Sequence, residues 1–145
     1  MRNFAAIIAF LLAPIVVKGA PPNFTGHWKQ QTQSKAQRQL EIEQYGQNLR
    51  VKTIAVGSDG TRTLEVKYVI GETATAYKGL DGDDFESKVH WENDTLIFET
   101  IEHERGREIP QKASWALSGD GTTLEATRIS AKSGEATRLT YTRQR

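Results

Sequence analysis

The chain contains no cysteine. No disulfide can staple it, no thiolate can hold a metal or act as a nucleophile, and the N-terminal cysteine of a bacterial lipoprotein is missing. The fold must therefore stand on its core. Long apolar runs are also scarce. Only Phe4–Val17, fourteen uncharged residues broken by Pro14, stands out, and a membrane span needs about 20. Excess charge of either sign is lacking, with 19 basic against 18 acidic side chains. The two signs interleave along the chain, which speaks against a nucleic-acid surface or an anionic-membrane surface. Helical periodicity is nearly absent; residues 33–39 suggest one helical turn and nothing longer. Gly-rich phosphate loops and "GxSxG" nucleophile elbows are missing too.

What is present begins with a leader. Arg2 precedes the apolar run, and small residues follow it at Gly19 and Ala20, so residues 1–20 read as a secretory signal peptide cleaved after one or the other. A retained N-terminal anchor is the alternative, kept open by Lys18 beside the cleavage site. Residues 21–145 are then one barrel domain with no membrane span, destined for the periplasm or the medium. Without Arg2 and Lys18, 17 basic residues face 18 acidic ones.

The dominant period is two. Leu40 and Ile42 alternate with Glu41 and Glu43; Leu64, Val66 and Tyr68 alternate with Glu65 and Lys67; and Leu49, Val51 and then Ile54 oppose Arg50 and Lys52. Such alternation marks strands with one buried and one wet face. Turn residues punctuate it at close spacing, among them Ser58-Asp59-Gly60, Glu92-Asn93-Asp94 and Gly119-Asp120-Gly121. Ten strand candidates follow: 24–31, 38–45, 48–56, 62–70, 73–78, 84–91, 95–102, 108–118, 123–130 and 135–143. Short strands joined by tight turns predict an antiparallel meander, and closing it into a barrel removes its exposed edges.

Chemistry-bearing residues are sparse. Asp81, Asp83, Asp84 and Glu86 crowd one acidic loop, which lacks the ligand spacing of an EF-hand and reads as a solvated turn. His27, His90 and His103 show no metal-ligand spacing, and parity turns His27 and His90 outward. No catalytic residue, metal or cofactor is expected. Asn23-Phe24-Thr25 and Asn93-Asp94-Thr95 match the glycosylation pattern, relevant only in a glycosylating host. The aromatics are more informative. Parity puts Phe85, Val89 and Trp91 on one face of a strand, Trp115 on an inner face of another and Tyr141 on that of the last. The interior is then either packed solid by these rings or a cavity lined by them.

Gly26-His27-Trp28 on the first strand resembles the G-x-W signature of lipocalin and calycin barrels. The runs "LEIEQYGQNLRV", "VHWENDTLIFET" and "SWALSGDGTTLEATR", ahead of "LTYTRQR", resemble the succession in bacterial exported proteins called lipocalin-like. The resemblance implies that Trp28 closes one barrel end beneath an arginine of the last strand, Arg143 or else Arg138, with Gly26 allowing close approach. It implies a lipocalin-like, all-β, antiparallel up-and-down barrel of about 8–10 strands. Such a protein would be exported and would bind a small apolar or amphipathic ligand. Tyr68, Phe85, Val89, Trp91, Phe98, Trp115 and Tyr141 are the expected ligand contacts; Gly26, Trp28 and Arg143 are the structural closure. The alternatives are a non-catalytic protein-interaction or envelope module with a filled barrel and, less favoured, an enzyme at the barrel mouth. The protein partner is left open.

Overall fold

Ten strands carry the period-two pattern: β1 (Gly26–Gln30), β2 (Gln37–Tyr45), β3 (Asn48–Gly57), β4 (Gly60–Val69), β5 (Thr75–Lys78), β6 (Asp84–Glu92), β7 (Thr95–Glu104), β8 (Arg107–Leu117), β9 (Thr123–Ser130) and β10 (Ala136–Arg143). The computed structural model describes residues 19–32, 36–131 and 133–145, and no helix occurs among them. The leader reading rests chiefly on residues outside that set. So does part of the expected helical turn, whose described residues 37–39 are strand. Each strand begins and ends within two residues of its sequence range.

The strands form one antiparallel sheet in the order β4-β3-β2-β1-β10-β9-β8-β7-β6-β5. Each strand follows its predecessor by a hairpin except at β4–β5, and β1 joins β10 through Trp28↔Arg143, Lys29↔Thr142 and Gln30↔Tyr141. The result is a barrel with one seam. β4 and β5 share no ladder, and the wall is drawn together there by a single bridge, Ile70 to Val89, with the Gly71 N–H donating to the Val89 carbonyl at 2.7 Å. Tight turns set the registers. Arg105 and Gly106, both at positive φ (50° and 76°), make the two-residue turn between β7 and β8, the conformation whose twist suits a hairpin.

Inward positions supply the core. Trp28, Leu40, Ile42, Leu49, Val51, Val89, Leu96, Phe98, Leu124 and Tyr141 are buried together. Outward positions pair charges across strands: Arg50 with Glu43 and Glu65, and Lys52 with Glu41. One expected face is corrected. Register pairs Ile42 with Val51 and Leu40 with Thr53, so Thr53 and Ala55 point inward and Ile54 points out. The regular ladder has no extra residue that could turn Ile54 round.

One end of the barrel is sealed. Trp28 is 1% exposed, its indole N–H donates to the Phe24 carbonyl at 2.9 Å, and the Arg143 guanidinium carbon lies 4.4 Å from its ring centroid. That separation suits a cation–π contact. Arg143 also donates to the Thr25 carbonyl and, through Nε, to the Gly121 carbonyl at 2.9 Å. Arg138, the other candidate, faces out and pairs with Glu125. Ahead of β1, the fully buried Phe24 folds over the same end, stacked 5.9 Å from Trp91 and edge-on to Trp115 at 5.8 Å. The Gln44 side chain clamps this segment, accepting from the Phe24 N–H and donating to the Pro22 carbonyl. Gly26 is needed at its place: its φ is +151°, and a Cβ there would sit 2.9 Å from Arg143 Nη1.

Trp28→Ala should cost about 3–5 kcal/mol of folding stability, as for other buried large aromatics. Gly26→Ala should cost about 1–3 kcal/mol, combining backbone strain with displacement of Arg143. Urea midpoints for both variants check this, and a Trp28→Ala protein as stable as the parent would remove the seal from the account.

Candidate ligand-binding site

The barrel is filled at its sealed end and hollow towards the other. Which inward residues are large decides this. Along β8 the inner face runs Leu117, Trp115, Ala113, and along β9 it runs Leu124, Ala126, Arg128. Ala126 is registered with Trp115, and Ala113 with Arg128. Opposite them, Thr53 and Ala55 pair with Leu40 and Arg38. Short side chains at Thr53, Ala55, Ala113 and Ala126 leave a cavity of about 640 Å³. That falls within the range of small-molecule pockets, about 300–1,000 Å³. It opens at the end where Ala36, beside β2, and Gly57, Asp59 and Gly60, between β3 and β4, border it.

Of the seven expected ligand contacts, Trp115 and Tyr141 line this cavity. Tyr68, Val89, Trp91 and Phe98 belong to the packed core or lie against it. Phe85 stacks on Tyr77 at 5.5 Å. Tyr68 meets both Tyr77 (5.8 Å) and Phe98 (5.3 Å) edge-on, so rings rather than backbone bonds fill the inside of the seam. Both anticipated interiors are thus present in one barrel, a packed half and a hollow half.

The hollow half has polar residues that the sequence reading did not select. Register pairs Arg62 with Ala55 and Ala55 with Arg38 on one side, and Gln30 with Tyr141 on the other, and all five residues line the cavity. The Gln30 side-chain oxygen accepts from the Arg38 backbone N–H at 3.0 Å. Burial pushes the Tyr141 hydroxyl up from its ordinary value, while the positive charge of Arg38 pulls it down. The phenol therefore stays protonated, and able to donate, at neutral pH. Strand parity was the signal for these residues. Arg38, Arg62 and Arg128 each share a face with apolar neighbours two residues away.

Two further features lie outside the cavity. Beneath the β5–β6 loop, carboxylate oxygens of Asp81, Asp83 and Glu102 lie within 4.8 Å of one another, and Glu102 Oε2 accepts from Gln111 Nε2 at 2.7 Å. Glu102 joins the acidic loop only through the pairing of Phe85 with Glu102, which the linear sequence hides. Desolvation, with the carboxylates of Asp83 and Asp81 beside it, holds its carboxyl above the usual range. On the outer wall a groove of about 450 Å³ runs over Ile101, Pro110 and Ile129 between charged borders that include Glu99 and Lys112. None of the three histidines borders the cavity. His27 is exposed beside Glu41, and His90 lies 3.4 Å from Glu92 on the outer face.

No protein-family model matches the chain, and no curated protein is similar to it in sequence. Solved structures do share its form. The Schistosoma mansoni fatty acid binding protein in complex with arachidonic acid superposes with a TM-score of 0.66 at 14% identity, over 88% of this chain and 100% of that one. Fatty-acid-binding protein 1 of Echinococcus granulosus gives 0.64 at 14%, over 84% and 98%. Secretory abundant heat soluble protein 4 of Ramazzottius varieornatus gives 0.68 at 14%, over 88% and 99%. At these identities the likeness establishes the fold, a nearly closed barrel of ten antiparallel strands.

Because the folded state raises the Glu102 carboxyl, protonation favours folding. The unfavourable contribution is present above the raised value and gone below the ordinary carboxylate range. Glu102→Gln keeps an acceptor for Gln111 and removes the repulsion. It should raise stability at pH 7 by about 0.5 kcal/mol, the scale of partly exposed charge interactions, and the gain should shrink towards pH 4. Denaturation at both pH values measures it; a loss of equal size at each would show that the carboxylate supports the loop.

Proposed function

We propose that this chain is an exported carrier that binds one small, partly apolar molecule in the hollow half of its barrel, without catalysis. The observation that carries this reading is the composition of the 640 Å³ cavity: Trp115, Leu40 and Leu139 offer apolar wall, while Gln30 and Tyr141 offer a few converging polar groups. The names of the structural neighbours support it, since two are fatty-acid-binding proteins and one of these is described with arachidonic acid. Apolar cavity and chemically quiet walls argue together for holding rather than transforming. Trp115 and Tyr141 are the contacts shared with the sequence expectation; the sealed end of Trp28, Gly26 and Arg143 holds the barrel's shape. The outer groove over Ile101 and Ile129 is what a protein-interaction module would use, but it is smaller than the barrel cavity, and the cavity is favoured.

Export, and membership of the bacterial exported lipocalin-like group, belong to the same proposal and rest on residues 1–20 and the motifs at Gly26–Trp28 and Ser114–Arg128. Protein recovered outside the cytoplasm should have an intact mass lacking residues through Gly19 or Ala20. Recovery of the uncleaved mass there would defeat the signal-peptide reading and favour a retained anchor.

Filling the cavity tests the carrier reading. Ala126→Phe, placed between Trp115 and Leu139, should weaken binding of an apolar fluorescent probe such as ANS at least ~10-fold, worth about 1.4 kcal/mol, while circular dichroism stays that of the parent. Native mass spectrometry of parent protein from its host should show an additional small mass that the variant lacks. Unchanged probe binding in a folded Ala126→Phe protein would move the site out of the barrel.

A further inference from the structure

We propose that the carried molecule has an anionic head group and binds head-outward, the anion held at the mouth by Arg38 and Arg128 while the apolar part lies against Trp115 and Leu139. This inference rests on the carrier reading.

Three separate strands repeat one pattern on their inner faces. β2 runs Ile42, Leu40, Arg38 from the sealed end to the mouth; β4 runs Val66, Leu64, Arg62; β9 runs Leu124, Ala126, Arg128. In each, apolar residues at depth give way to an arginine where the cavity opens, and all three arginines line it. Several outward-facing cations have carboxylate partners. Arg50 is paired with Glu43 and Glu65, Lys78 with Asp84, and Arg138 with Glu125. Among the described residues, one of the three mouth arginines has such a partner. Asp59 is the one carboxylate lining the cavity among the described residues, and it pairs with Arg62 at 3.7 Å. Among the described residues no carboxylate stands within ion-pair distance of Arg38 or Arg128.

The acidic group of Asp81, Asp83 and Glu102 lies under the β5–β6 loop and does not line the cavity. The cavity therefore has a positive rim in a chain of formal charge +1. Guanidinium groups pair with carboxylate or phosphate in fixed, two-pronged geometry, and a rim of one sign raises the local concentration of oppositely charged ligands. Behind the rim lies the 3%-exposed phenol of Tyr141, and beyond it apolar wall. An amphiphile entering tail first leaves its anion among the arginines, with no charge buried at depth.

The test compares four ten-carbon probes on the full folded protein, below their micelle-forming concentrations: decanoate, decyl phosphate, decanol and decyltrimethylammonium. Decanoate or decyl phosphate should bind at least ~10-fold tighter than decanol, the cation should bind weakest, and the preference should fall as salt rises. The stronger anion identifies the head group as carboxylate or phosphate. In the Arg38→Gln/Arg128→Gln double variant the anion-to-decanol ratio should fall close to one while decanol affinity is unchanged. Arg138→Gln, on the outer face, should leave the ratio intact. Equal binding of decanoate and decanol by the parent, or a ratio that survives the double substitution, overturns the head-group assignment and leaves the carrier reading standing. Failure of all four probes to bind overturns both.

Discussion

Everything in this barrel depends on one closure, the Arg143 guanidinium lying over the Trp28 indole. A ten-strand meander has two ends, and they must meet for the interior to exist. Here the first strand and the last are joined by a short ladder of Trp28, Lys29 and Gln30 with Arg143, Thr142 and Tyr141. Three registered pairs are a modest bond. Arg143 strengthens it by touching three parts of the chain at once: the Trp28 ring, the Thr25 carbonyl before β1 and the Gly121 carbonyl between β8 and β9. The last of these belongs to a turn with its own anchor. The Asp120 carboxylate accepts from Ser118 and Thr122, which hold it down to about 2. First strand, last strand and a distant hairpin are thereby fastened at one point.

The division of the interior follows from that fastening. With Trp28, Phe24, Trp91 and Trp115 packed at the closed end, side-chain volume is concentrated there, and the inward alanines and threonine lie beyond it. A barrel of this size can be packed solid or hold a ligand; this one does each in a different half. The polarity gradient runs the same way as the volume gradient, from aromatic depth to arginine rim. A single axis orders packing, emptiness and charge.

Much of this was legible in the sequence because period-two alternation is a local signal. Leu40 against Glu41, or Val66 against Lys67, declares a strand face without knowledge of its neighbours, and all ten strands follow from such pairs and the turns between them. Gly26 and Trp28 were legible through a motif. The cavity was not. Ala55, Ala113 and Ala126 are unremarkable singly and make a void only when the closed barrel brings them to one cavity wall. Arg38 and Arg128 look like ordinary surface arginines until parity is followed to the strand end. Ile54 misled because an apolar residue beside Val51 invites an inward assignment that its odd position forbids. Phe24 and Glu102 act across long sequence separations, through a folded-back segment and a cross-strand pair, and no short window contains them.

The seam between β4 and β5 has a mechanical consequence. Nine strand pairings encircle the interior, and the tenth is replaced by Tyr68 against Tyr77 and one bridge at Ile70. In a barrel closed by ladders all the way round, any increase in girth must break backbone hydrogen bonds. Here widening the wall parts two aromatic rings, contacts worth about 0.5–1.5 kcal/mol beyond their buried area, and a single bridge whose Gly71 N–H donates to the Val89 carbonyl. The barrel behaves as a split ring rather than a hoop.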